Sequence, residues 1–160
     1  MKQTKSITVR NLEAAFAGES MAHIKYLYFA RLCRARGDEE TARVFEQTAA
    51  QEVQHAFGHL DLLLPADQLN PTRCLELAIE GETHEYSEMY PKFRHLAEQE
   101  RNEAATQEFD EQIEESRQHA DQFRAVLEKA AKRFRALAKV EERHANNYRD
   151  ALRADRPASR

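Results

Sequence analysis

Glu52 and His55 are the first residues whose types and spacing could do chemistry. They belong to a run, Phe45, Ala49, Glu52, His55 and His59, that recurs every three or four residues. On a helix such residues are neighbours on one stripe, here an apolar one. An ionised carboxylate turned toward a core is costly unless it is paired or coordinates a cation. Carboxylate oxygen together with imidazole nitrogen suits Fe or Mn, with Zn as the common substitute. A lone Glu-x-x-His equally describes a surface Glu beside a hydrogen-bonded His, so recurrence matters. Phe45-Glu52-His55 returns as Phe134-Glu141-His144 with the same spacing, and as Phe109-Ser116-His119 with Ser in place of Glu.

Lone carboxylates stand elsewhere beside glycine: Ala17-Gly18-Glu19-Ser20 and Glu80-Gly81-Glu82-Thr83-His84-Glu85. A mid-helix Gly costs about 1 kcal/mol against Ala, so it needs a reason. Room for a metal is one reason, and close helix packing is the other. Glu19 precedes His55 by 36 residues and Glu82 precedes His119 by 37. That near-match predicts a repeated two-helix unit, with a Glu on the first helix and Glu-x-x-His on the second. A Glu-x-x-His pair facing a bundle core is the arrangement of di-iron carboxylate bundles.

The elements that must position these groups are all helical. The chain has 160 residues, enough for one ordinary domain, with only four Gly and four Pro. A sandwich or barrel, with a turn about every 8–12 residues, cannot be built from so few breakers. Gly37-Asp38 reads as a helix stop and N-cap, Pro65 as a second stop, and Asn70-Pro71 as an N-cap with Pro at the first helical position. These predict helices over 7–36 and 38–64 and a third from 72, kinked at Pro91. From Pro91 to Pro157 there is no Gly or Pro. The only turn candidate is Arg101-Asn102, which predicts a last helix over 103–153, roughly 75 Å long. The fold class expected is all-α, a four-helix up-down bundle over 1–153 with an extended final helical region and a disordered tail over 154–160.

Composition narrows the function. The net charge is -4, with no basic face for nucleic acid. No apolar run approaches the roughly 18–20 residues of a membrane helix, and the N-terminus lacks the apolar region of a signal peptide. Cys33 and Cys74 are too far apart for a thiolate finger and read as reduced thiols of a cytoplasmic protein. The run from Lys129 to Arg135 reads as a solvated helix face, with docking of an acidic redox partner as the other reading.

AFAGES (15–20), QEVQH (51–55), GETHEYSEMYP (81–91) and KVEERH (139–144) resemble the di-iron domain of rubrerythrin, within the ferritin-like superfamily. The resemblance covers nearly the whole chain. It implies two Fe ions, with Mn or Zn as possible substitutes. It makes Glu19 a terminal ligand, Glu52 a bridging ligand, His55 a ligand of the first iron and Glu82 a terminal ligand of the second. Glu85 would be the extra carboxylate toward which one iron moves on oxidation. Tyr26 and Tyr90 match tyrosines near the centre, with core packing as the alternative reading. Glu52, Glu85, Tyr26 and Tyr90 would be the catalytic groups. Rubrerythrins usually carry a rubredoxin-like domain with paired Cys-x-x-Cys; neither pair stands in these 160 residues. The expectation is therefore an erythrin-type protein fed by a separate donor such as a rubredoxin-like protein.

The last ligand pair is open. Ungapped alignment and chain length place Ser116 and His119 opposite Glu82 and Glu85. Ligand chemistry favours Glu141 and His144, because Ser cannot bridge two irons. The separation of 25 residues is close to seven helical turns, so both copies face one side. Glu141 and His144 could serve if the last two helices are extended, or if the last is domain-swapped with a neighbouring subunit. Glu115 with His119 is the third option. We take Glu141 and His144 as the expected ligands.

The resemblance implies a non-haem di-iron peroxidase that reduces hydrogen peroxide to water, and the overlong last helix leads us to expect a homodimer. Phe134, Leu137, Val140 and Tyr148 on one stripe call for a partner surface. Ferritin-like iron oxidation and storage is the alternative. A metal-free bundle whose buried Glu residues pair with Arg or Lys is the third reading.

Overall fold

The computed structural model describes residues 6–154, with side chains described to residue 149. The helices are α1 (Ile7–Ala35), α2 (Glu39–Leu63), α3 (Pro71–His84), α4 (Tyr90–Gln99) and α5 (Glu103–Ala154). A 3-10 turn at Ala66–Gln68 follows α2, and a π-helical segment, Glu85–Met89, joins α3 to α4. Residues 155–160, most of the expected tail, lie outside the described residues. No described helix is long and apolar enough to cross a membrane.

The breaks fall where the sequence puts them. Ser6 Oγ accepts from the Val9 N–H and starts α1. Gly37, at φ 83°, turns the chain with the positive φ that glycine accepts at no steric cost. Asp38 then caps α2, accepting from the Thr41 N–H at 3.0 Å. Arg101 makes the second tight reversal at φ 58°, and Asn102 Oδ1 accepts from the Ala105 N–H to start α5. The expected kink at Pro91 takes another form. Pro91 sits in the first turn of α4, where its missing N–H costs little, and the irregularity lies just upstream in the π segment.

The chain forms two compact units, Met1–Asn70 and Pro71–Arg160. The first is the hairpin of α1 against α2; in the second, α3, the π segment and α4 pack along α5. Their interiors are made of small residues: Ala30, Ala42, Ala49 and Ala56 in the first, Ala97, Ser116 and Ala120 in the second. Ala42, Ala49 and Ala56 repeat every seven residues, so one face of α2 lets α1 approach closely. Close packing does not explain Gly18 or Gly81 within their units: a Cβ built on either meets nothing within 4 Å.

Each unit carries the same aromatic trio. Tyr26, Phe29 and Phe45 pack with ring centroids 5.5–6.5 Å apart. Tyr90, Phe93 and Phe109 do so at 5.9–6.4 Å. Tyr26 precedes Phe45, and Tyr90 precedes Phe109, by 19 residues. The repeat anticipated from the Glu-to-His spacings is thus present in three dimensions.

Candidate metal centre

In the first unit α1 supplies Glu19 and α2 supplies Glu52 and His55. One ligand atom from each lies within 4.8 Å of the others. His55 Nδ1 stands 3.0 Å from Glu52 Oε2, the spacing that one helical turn gives to i and i+3 side chains. Glu52 is 18% exposed and His55 60%. His23, one turn beyond Glu19, hydrogen-bonds through Nδ1 to the Ala49 carbonyl at 2.7 Å and ties α1 to α2. From sequence alone His23 reads as a surface or supporting residue, because it has no partner at ligand spacing.

In the second unit α3 supplies Glu82, the start of the π segment supplies Glu85, and α5 supplies Ser116 and His119. His119 Nδ1 is 3.5 Å from Glu82 Oε1. Ser116 donates its hydroxyl to Glu85 Oε2 at 3.1 Å. Glu82 Oε2 is buried with no hydrogen-bond partner, so it is an acceptor left waiting. Among the described residues, the ion-pair partners of Glu52 and Glu82 are His55 and His119, and no Arg or Lys pairs with Glu19, Glu52, Glu82 or Glu85. Two carboxylates and an imidazole, as in the Glu19, Glu52 and His55 cluster, are a donor set suited to a hard or borderline divalent cation, and iron fits it.

The expected ligands Glu141 and His144 are not brought to this group. His119 already lies against Glu82, and each residue of α5 adds 1.5 Å. His144 is therefore roughly 37 Å further along, on an exposed stretch of the helix. Glu115 is exposed as well, and its Oε2 accepts from Gln112 at 3.4 Å rather than turning toward Glu82.

The two tyrosines named from the sequence sit in the aromatic trios. Burial raises the Tyr90 phenol above its ordinary value, and the negative charges of Glu85 and Glu82 push it the same way. Tyr86, which sequence reasoning passed over, goes the other way. A hydrogen bond from Arg124 holds its phenol below the ordinary value, with Thr83 assisting. Arg124 also donates to Thr83 Oγ1 at 2.9 Å, and Arg117 lies 5.7 Å over the Tyr86 ring.

Residues 10–127 match the family model described as Rubrerythrin. The chain belongs to the rubrerythrin family. Its fold class is all-α and ferritin-like. The rubrerythrin match ends short of Glu141 and His144 and includes Ser116 and His119. Nigerythrin of Nitratidesulfovibrio vulgaris is 36% identical over 133 residues, 74% of this chain and 65% of the relative. Rubrerythrin of Porphyromonas gingivalis is 32% identical over 154 residues, 89% of this chain and 64% of the relative. Rubrerythrin of N. vulgaris is 38% identical over 112 residues, 62% and 59%. The chain thus spans about three-fifths of the length of these relatives. A solved structure titled as the fully reduced, all-ferrous state of nigerythrin aligns over 81% of this chain and 70% of its own, at 32% identity and a TM-score of 0.40.

Proposed function

We propose that this protein is a non-haem di-iron peroxidase of rubrerythrin type, with Glu19, Glu52, His55, Glu82, Glu85 and His119 as the protein ligands. The observation that carries the reading is the Glu19, Glu52 and His55 cluster in the first unit, together with the second unit's Glu82, whose Oε1 lies against His119 and whose Oε2 is buried and unpaired. In this proposal Glu141 and His144 lie outside the ligand set, and residues 1–153 act as one ferritin-like domain. Bound iron would supply Lewis acidity and the electrons for cleaving the O–O bond. The balance is one peroxide, two electrons and two protons to two waters.

The chain's own groups have separate tasks. Glu19, Glu52, Glu82 and Glu85 offset cationic charge. Tyr90, held protonated by burial and by its carboxylate neighbours, keeps a proton beside Glu82 and Glu85. His23, fixed on the Ala49 carbonyl, steadies the turn of α1 that presents Glu19. Electrons come from a separate donor, a rubredoxin-like protein in this reading. The reaction is set in the cytoplasm, where Cys33 and Cys74 stay as thiols.

The test is reoxidation of the anaerobically reduced, iron-loaded protein. Peroxide should reoxidise it much faster than air; comparable rates remove the peroxidase assignment. A homodimer is the proposed assembly, and a 24-subunit shell would favour iron storage instead. Loading with Mn or Zn should occupy the ligands without supporting turnover.

A further inference from the structure

Ser116 is the buried polar side chain among the described residues, at 3% exposure. It holds the place in the repeat that Glu52 holds in the first unit: Phe45 to Glu52 and Phe109 to Ser116 are both seven residues, and each is followed three residues later by a His. Hydroxyls within a helix commonly turn back to the carbonyl four residues before. Thr48, Ser87 and Thr106 do so here. Ser116 instead reaches across to Glu85 Oε2. Glu85 comes from the π segment, and the matching stretch of α1 has no carboxylate between Glu19 and Tyr26. The second unit therefore has as many donors as the first: Glu82, Glu85 and His119 against Glu19, Glu52 and His55. The α5 carboxylate is missing, and Glu85 is the carboxylate left to serve beside Glu82.

We propose that Ser116 is a positioning residue that fixes Glu85 as the second unit's replacement for the carboxylate missing from α5. This rests on the metal-binding reading above. Ser116 is too small and too weak a donor to offset a cation itself, but its hydroxyl orients a carboxylate that can. A hydrogen bond that orients a ligand typically changes metal affinity 10–100-fold. Glu85 is then indispensable for the second ion in this chain, and it becomes dispensable if α5 regains a carboxylate.

The experiment counts Fe(II) bound per chain by anaerobic titration and native mass spectrometry, with no activity measurement. The wild-type chain should bind two ions. E85A should lose one, S116A should bind the second about tenfold or more weakly, and E85A/S116E should recover it. Circular dichroism and thermal melts of the metal-free variants establish that each is folded. An E85A protein that keeps both ions overturns the inference, as does a folded E85A/S116E protein that recovers nothing. If the double variant does not fold, S116A decides: second-ion affinity equal to wild type overturns the proposal. A wild-type chain that binds no iron overturns the metal reading itself. A chain that binds two ions indifferent to residues 85 and 116 overturns only this inference.

Discussion

Glu82 lies eight residues before Tyr90, one more than separates Glu19 from Tyr26. The extra residue is accommodated in the π turn of Glu85–Met89. It accounts for the whole difference between the two Glu-to-His spacings, since Tyr-to-Phe and Phe-to-His distances agree between the units. A π turn is in effect a one-residue insertion into an α-helix, and such turns occur often at functional sites. Here it lets α3 and α4 keep the helix phase of α1 while adding Glu85.

The first prediction concerns that insertion. Deleting Ser87 should restore the spacing that already packs well in the first unit. Helix content should be retained and Tm should not fall. Deleting Ala78, in the regular part of α3, should instead rotate everything upstream out of register and lower Tm by many degrees. Melts followed by circular dichroism compare the two; equal damage would show that the π turn is not the inserted residue.

Glu82 gives a prediction with opposite signs in two states. Its Oε2 is buried without a partner. Glu82→Met should therefore stabilise the metal-free protein by about 1 kcal/mol, the order of cost of an unsatisfied buried acceptor. The same change should abolish most of the rise in Tm that added metal gives the wild type. Parallel behaviour with and without metal would remove Glu82 from the ligand set.

Tyr86 and Tyr90 should titrate apart. Hydrogen bonding from Arg124 favours the Tyr86 phenolate, whereas burial and the charges of Glu85 and Glu82 disfavour that of Tyr90. In an absorbance titration of the phenolates, Tyr86→Phe should delete an early step and Tyr90→Phe a late one. Arg124→Ala should move the early step upward. An early step that survives Tyr86→Phe would contradict the Arg124 contact.

Asp38 sets a pH dependence. The Thr41 N–H and hydroxyl bond its carboxylate and lower its pKa in the folded chain. A lowered folded pKa means the cap's contribution is complete above the unfolded value of about 3.9 and lost as pH falls through the folded one. Asp38→Ala should therefore lower Tm by a few degrees at neutral pH, and the two melting curves should draw together in acid. A constant difference down to pH 2 would show that the charge has no part in the cap.

The pattern of breakers was enough to read the helices. Gly37-Asp38, Pro65, Asn70-Pro71 and Arg101-Asn102 mark ends that backbone sterics and capping enforce locally. The same local rules placed Glu52 and His55 on one face and showed the repeat. They could not choose between His119 and His144, because residues about seven turns apart on one helix share a face. Only the packing of α3 on α5 decides which turn lies opposite Glu82, and it is the turn of His119. The spacings of 36 and 37 contained the π insertion, but a one-residue difference has no sign until the aromatic trios fix both registers. Nor could spacing reveal that the Ser116 hydroxyl turns away from its own helix toward Glu85. Periodicity along the chain determines which side chains share a surface; the tertiary structure determines what that surface meets, because that depends on contacts between residues distant in sequence.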